Sequence, residues 1–579
     1  MVEHAAVNRG VVGSSPTRGV FLLLFSVMRS IEPLIRLIFF KNCIYSMVFA
    51  KSTLEVNDMD ILWKENGTFK EEGIERGESL WIQEQYRYNE RKDKSVNEKA
   101  ARPALKGEIS TEVAIIGAGL AGVLTAYMLQ SRGVPVVVLE CRKAGGGITK
   151  NTTAKITSQH SLIYKKLLTY KGEQRTWEYA MANQLAIKEY EKIIKRLQID
   201  CDYEVLPNYV YTLDDEQKIR QEVEAAQRLG LPASFTKETT LPFEVKAAVR
   251  FDNQAQFHPL KFLDTVADTL SIYENTRVTQ INKNGLILTD QGSVKAKRVV
   301  IATHYPFINI PGYYFIRLHQ ERSYLTALEG YNPNRNGLDG MYLDADPDGF
   351  TFRKYKDYLI LGGGSHRVGK YQPPDAYAKI EQAAKKWYPD ASVKYTWSSQ
   401  DCMTPDSVPY IGRYSVRTPN IYVATGFNKW GMTSSMVSAM TISDMITGKE
   451  NEYRKVFTPR RLMLSGSRVF LKDTAIITIS LLSEHLKIPH DRLKDIEKGK
   501  AGVIRHGGQR VGVYRDKDDK YYFVTTKCPH LGCKLEWNQN EMTWDCPCHG
   551  SRFDYHGKMI NNPAMRDAFD TCRLKKKNK

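Results

Sequence analysis

The 579-residue chain has no uncharged apolar run of the ~18 residues that a membrane-spanning helix requires. Its most apolar stretch, residues 20–50, is interrupted by Arg29, Glu32, Arg36 and Lys41, and lacks the basic, apolar and small-residue order of a secretory leader. No internal repeat or low-complexity tract stands out, which sets aside solenoid and fibrous architectures. A net charge of +18 comes without any recognised nucleic-acid module, so the excess reads as solvated side chains spread along the chain. The same reading covers the closing Arg573-Leu-Lys575-Lys576-Lys577-Asn-Lys579, with docking to an acidic partner or an anionic membrane surface as the alternative. With 42% hydrophobic and 26% charged residues, the chain can build two or three domains with real cores.

Cysteine is scarce, nine in all, yet four fall within one short stretch. It reads Cys528-Pro-His530-Leu-Gly-Cys533, then, after a gap, Cys546-Pro-Cys548-His549-Gly-Ser551. Two thiolates and two imidazoles in two groups, Cys528/His530 and Cys546/His549, suit a [2Fe–2S] cluster with sulfur ligands on one iron and nitrogen ligands on the other. A structural zinc site is the competing reading, but Cys546 and Cys548 are too close to chelate one tetrahedral ion together comfortably. The paired boxes resemble the Rieske domain of the cytochrome bc type at every ligand position. That resemblance implies a disulfide between Cys533 and Cys548 and a hydrogen bond from Ser551 to a bridging sulfide. Such centres work at roughly −150 to +300 mV, against about −400 mV for plant-type clusters with cysteine ligands alone. Many respiratory members carry a tyrosine two residues after the serine; here Phe553 stands there, implying a lower potential. The remaining Cys43, Cys141, Cys201, Cys402 and Cys572 follow no pairing pattern, so the expected compartment is reducing and cytoplasmic.

Residues 1–58 differ in texture from everything after them. Val2 to Gly19 resembles the peptide produced when a transfer-RNA gene is translated, and Leu54-Glu55-Val56 can be encoded with a ribosome-binding sequence upstream of Met59. The expectation is therefore a start at Met59, with a membrane anchor as the alternative. Residues 59–108 read as an extended polar lead-in whose main apolar contact is Glu78-Ser-Leu-Trp-Ile-Gln.

Next comes Glu112-Val-Ala-Ile-Ile-Gly117, a buried parallel strand by pattern, then a helix over Leu120 to Gln130. Between them Gly117-Ala-Gly119-Leu-Ala-Gly122 forms G-x-G-x-x-G. The first glycine permits the turn, the second admits a pyrophosphate, and the third lets helix and strand approach. A second strand, Val134 to Leu139, ends at Glu140, placed to bind a ribose hydroxyl. Residues 110–450 resemble flavoproteins of the D-amino-acid oxidase and glycine oxidase superfamily. The resemblance is carried by Asn151-Thr-Thr153-Ala154-Lys155, Arg298-Val-Val-Ile-Ala-Thr-His304 and Ile421-Tyr-Val-Ala-Thr-Gly426-Phe-Asn-Lys-Trp-Gly431-Met432. It implies FAD, with the helix from Met432 to Ile446 presenting its amino end to the flavin's pyrimidine edge.

Between the FAD segments, helical periodicity over 172–198 and 214–229, strand patterns over 322–329, 350–354 and 357–361, then a helix over 375–388 and a strand over 393–398 suggest a substrate domain. The fold expected is thus α/β: a glutathione-reductase-type FAD-binding Rossmann domain with a mixed α+β substrate domain (109–450), a helical linker (451–490), and an all-β Rieske domain (491–579). Candidates for substrate contact are Tyr324, Arg353, His366 and Arg367, the last two just after the glycine run Gly362-Gly-Gly364, read as a strand end beside the active site. His258 reads as a helix-start residue, and His304 as lying near flavin. The superfamily's amino-acid oxidases often place a carboxylate-clamping arginine three residues before a Thr-Pro-Asp turn; Asp401 stands there before Thr404-Pro-Asp406 and could favour a cationic amine or serve as a cap. His485 and His490 read as a chance pair rather than an iron site. The leading expectation is a flavin dehydrogenase for a small amine or amino-acid-like substrate, passing electrons through its own cluster to an external carrier or quinone. A reductase module fed by NAD(P)H and a non-enzymatic redox sensor are the alternatives.

Overall fold

The computed structural model describes residues 70–71, 74–92, 101–282, 284–331, 337–369, 375–461, 493–506 and 509–569. The extension 1–58, Met59, His485, His490 and the basic tail lie outside them.

One sheet carries the nucleotide motif. Strand Gly107–Ile116 pairs in parallel with Val136–Leu139 on one side and Gly292–Ile301 on the other, and Thr418–Thr425 joins the latter in parallel. Val113, Ala114 and Ile115 are wholly buried, as a parallel strand covered on both faces requires. Helix Leu120–Gln130 follows the first strand and packs against helix Gly431–Thr447, so both helices start at the same end of the sheet, beyond the strand C-termini.

A second, larger sheet forms the substrate domain. At its centre His319–Glu329 lies antiparallel between Tyr358–Arg367 and Ser392–Met403. The glycine run is not a strand end: the strand continues through it to Arg367. A Cβ on Gly362 would come 2.9 Å from the methyls of both Leu325 and Thr351, its partners on the two flanking strands, so only glycine fits between those side chains.

The lead-in also differs from its reading. Leu80–Lys92 is a helix rather than extended chain, and Ile74–Arg76 adds a short parallel strand to the edge at Tyr395–Thr396. The cause is the apolar contact already picked out: Leu80 and Trp81 are wholly buried, and the periodic face they begin is satisfied only by a helix.

Of the interval 451–490, the described part contains the short helix Arg454–Phe457. Beyond it, a three-stranded sheet (Lys500–His506, Gln509–Arg515, Tyr521–Thr525) and a four-stranded antiparallel sheet (Glu536–Asn538, Thr543–Asp545, Arg552–Asp554, Met559–Asn561) make the all-β module. Among the described residues no helix is long and apolar enough to cross a membrane.

Candidate cofactor sites and the interface between them

The two cysteine boxes fold into matching turns. Gly532 N–H donates to the Cys528 carbonyl, and Gly550 N–H donates to that of Cys546, each at 2.9 Å and each four residues on. Both glycines take positive φ (86° and 80°), which explains a glycine four places after the first cysteine of each box. Cys533 and Cys548 form a disulfide that ties the turns together. Sulfur and nitrogen donors of Cys533, Cys546, Cys548 and His549 gather within 4.8 Å of one another, but the two disulfide sulfurs are spent on each other. Free thiols are left at Cys528 and Cys546, both buried, and the His530 and His549 rings lie 4.8 Å apart. His530 Nδ1 and both ring nitrogens of His549 are buried without a hydrogen-bond partner. Unpartnered buried nitrogens beside buried thiols are what a [2Fe–2S] cluster held by two cysteines and two histidines calls for, so the donor set fits. Ser551 lies against Cys528, and its Oγ accepts from Ala564 N–H at 3.0 Å.

The nucleotide site is a cavity of about 790 Å³. Gly117, at φ 104°, leaves no space for a side chain, since a Cβ would stand 2.5 Å from the Ala302 carbonyl oxygen. One on Gly122 would fall 1.9 Å from the Gly117 oxygen. Gly119 differs: its Cβ would meet only Thr149 Oγ1, at 3.7 Å, so the space beside it belongs to the cavity. Gly431 has nothing within 4 Å. Neither of the two long helices carries a side-chain cap from its own N-cap residue, and their first turns line the cavity. Glu140 also lines it, accepting from Ala118 N–H at 2.8 Å and Arg142 N–H at 2.9 Å. Leu120 N–H donates to Thr149 Oγ1 at 3.2 Å, and open glycines, two helix N-termini and an acid at the second strand's tip fit a dinucleotide such as FAD.

The 151–155 turn is fixed from outside. Trp397 Nε1 donates to the Asn151 carbonyl at 3.0 Å, Trp81 Nε1 to that of Thr152 at 2.6 Å, and Arg353 Nη1 to that of Thr153. Thr153 and Lys155 face the cavity, while Ala154, at φ 53°, makes the bend and is wholly buried. Lys155 Nζ donates to the Tyr342 carbonyl and Thr351 Oγ1 at 2.7 and 2.5 Å, and burial, with Arg353 nearby, pushes its amine down to about 7.

Among the substrate-contact candidates, Tyr324 and Asp401 line the cavity. Arg353, His366 and Arg367 are not among the lining residues. Arg353 is a buried brace whose guanidinium also binds Gln256 and the Phe257 carbonyl and lies over Trp81. His366 stacks on the far side of Tyr324 at 5.7 Å. Met432 and Gly431 line the cavity, whereas Gly426, at φ 71°, forms the turn behind them. His304 lines it, and His258 caps the helix Pro259–Ala267 through Nδ1 and Lys261 N–H. Burial pushes the Asp401 carboxyl up to about 6, Glu321 adds to that, and Lys429 opposes it. Lys429 pairs with Glu321 at 2.9 Å.

Sequence reasoning missed how the all-β module meets the cavity. Met559 to Asn562, Ala564 and Met565 form part of its wall. Asn562 Nδ2 donates to the carbonyls of Thr303 and Tyr305 at 2.9 and 2.7 Å, and Arg142 donates to that of Ile560 at 3.1 Å. Gln320 Nε2 donates to the His549 carbonyl at 2.6 Å, and Gln400 Nε2 to that of Gly550 at 2.8 Å. Arg322 pairs with Asp545 at 2.8 Å, Arg552 with Glu541 at 3.0 Å, and Tyr377 and Ser398 donate to Glu541. A signal existed: Gln320 and Arg322 sit at alternate positions of a strand pattern that continues through Tyr324, Thr326 and Leu328, all of them buried.

The chain belongs to the FAD dependent oxidoreductase family, whose model matches residues 112–445, and carries a Rieske [2Fe-2S] domain matched over 487–574. It is thus an FAD-dependent oxidoreductase with a Rieske centre. At the level of individual proteins, it is 36% identical over 480 residues to YhfW of Bacillus subtilis (strain 168), named for a Rieske 2Fe-2S iron-sulfur protein, covering 80% of this chain and 94% of that one. Gamma-glutamylputrescine oxidoreductase of Escherichia coli (strain K12) is 23% identical over 396 residues, 62% of this chain and 89% of its own length. In fold, the chain is similar to L-proline dehydrogenase from P. horikoshii (20% identity, TM-score 0.51, 62% of this chain and 98% of that one). Glycine oxidase from Geobacillus kaustophilus matches likewise (18%, TM-score 0.51, 61% and 99%).

Proposed function

We propose that this chain is a dehydrogenase for a small amine or amino-acid-like substrate, and that the electrons leave through its own Rieske centre to an external acceptor. The observation that carries this reading is the shared wall: residues of one cavity come from both the FAD-binding segments and the Rieske module. Bound FAD supplies a two-electron hydride acceptor and a bound [2Fe–2S] cluster a one-electron acceptor. The residues that would hold the first are Gly117, Gly119, Gly122, Glu140, Thr153, Lys155, Gly431 and Met432, with Ala154 and Gly426 shaping the turns behind them. Cys528, His530, Cys546 and His549 would hold the second.

The charged groups acting on Asp401 are Glu321 and Lys429, which pair with each other at 2.9 Å, so Asp401 adds a net negative charge to this part of a cavity that Lys155, Lys166, Arg142 and Arg277 also line. That balance favours a substrate carrying an ammonium group, and the E. coli relative named for a putrescine derivative agrees with it. Tyr324, whose hydroxyl is reached by Asn538 of the Rieske module at 3.5 Å, closes the same region. The test is an anaerobic screen of amines, amino acids and NAD(P)H for bleaching of bound flavin, followed by EPR of the cluster. An amine that bleaches the flavin and then raises the reduced-Rieske signal is expected. Bleaching by NADH alone, or bleaching with no cluster signal, would overturn the proposal.

A further inference from the structure

The two histidines of the cluster site stand in opposite surroundings. His549 is 1% exposed, edge-on to Phe315 with ring centroids 6.1 Å apart. Its carbonyl accepts from Gln320 Nε2, and Gln320 Oε1 in turn accepts from Gln400 Nε2 at 2.6 Å. Gln320 Nε2 also donates to the carbonyl of Asn562, which lines the flavin cavity from the Rieske side, at 3.2 Å. Gln400 bonds the next peptide, at Gly550, and precedes cavity-lining Asp401. Gly550 must be glycine here, because a Cβ would come 2.7 Å from that of Gln320. His530, by contrast, is only half-buried. Its Nε2 bonds Asn309 Oδ1 at 2.9 Å, Asn309 does not line the cavity, and the next residue, Ile310, is 42% exposed.

We propose that the two imidazoles have separate duties: His549 is the electron inlet, coupled to the flavin cavity by the paired amides of Gln320 and Gln400, and His530 is the outlet to the external acceptor. This rests on the reading that electrons leave through the cluster. Each substrate oxidation delivers two electrons singly along this line; two equivalents of a one-electron acceptor are reduced at the outlet, and the protons go to solvent. Gln320 and Gln400 are positioning residues, since they touch the peptide of a ligand rather than the iron.

Two rates separate the duties. Photoreduction of bound flavin with light and EDTA, followed by the cluster's absorbance and EPR signal, gives the internal step; stopped-flow oxidation of the reduced cluster by ferricyanide gives the exit. Gln320→Met is expected to slow the internal step about 10- to 100-fold, as loss of a contact just outside a metal's ligands commonly does, and to leave the exit unchanged. Gln400→Met, which removes the second amide, carries the same expectation should Gln320→Met fail to assemble its cluster. Ile310→Glu sets a carboxylate beside the outlet: it should slow ferricyanide at low salt, recover at high salt, and leave the internal step alone. An unchanged internal rate in both glutamine variants, or an Ile310→Glu exit equal to wild type at low salt, overturns the assignment. Failure of the wild-type protein to pass electrons from flavin to cluster would instead sink the function proposed above.

Discussion

At the scale of single residues, two side chains set quantities that can be measured. Asp401 has its carboxyl raised by burial to about 6, so it gains its charge as pH rises through that value. If it pairs with a substrate ammonium, KM for a cationic amine falls from pH 5 to pH 7. Asp401→Asn should raise KM at pH 7 about tenfold, the worth of one hydrogen bond to a charged group, and flatten that limb of the profile. Phe553 is wholly buried among Cys528, Cys546 and Trp544 and offers those sulfurs no O–H. Phe553→Tyr should therefore raise the cluster's midpoint potential in an EPR-monitored redox titration, because a donor to a cysteine sulfur stabilises the reduced state.

At the scale of elements, the central strand His319–Glu329 joins the two modules. Its register places Arg322 opposite Gln400 and Tyr324 opposite Ser398, so one face of two neighbouring strands presents a polar row to the Rieske module. Arg322 is wholly buried, and Asp545 is held below the usual carboxylate range against burial by Arg322 and then Arg552. Arg322→Met leaves that carboxylate short of a partner, and should cost about 3–5 kcal/mol, read as a lower midpoint in urea-induced release of the Rieske module. The strand itself was legible from apolar periodicity, and so were the two nucleotide-site helices. The lead-in helix was not, because Leu80 and Trp81 gain their burial from chain far downstream. The glycine run misled for a related reason: what it packs against, Leu325 and Thr351, is set by sheet order rather than by neighbours in sequence.

At the scale of the whole molecule, both cofactor motifs were readable because a backbone that must bend at fixed glycines writes them locally. Of the residues expected to contact substrate, Tyr324 and Asp401 line the cavity, while Arg353 braces the 151–155 turn and His366 stacks on Tyr324. The seam between the modules was not readable, since Asn562, Gln320 and Gln400 acquire meaning only when distant segments meet. Because that seam is buried and covalently tethered, electron passage from flavin to cluster should not vary with protein concentration and should change little between low and high salt, as flash photolysis over a dilution series would show. The Rieske residues Met559 to Asn562, Ala564 and Met565 have one more consequence, for how tightly flavin is kept: as part of the nucleotide cavity's wall, they should make flavin loss in urea, followed by its fluorescence, coincide with displacement of the Rieske module.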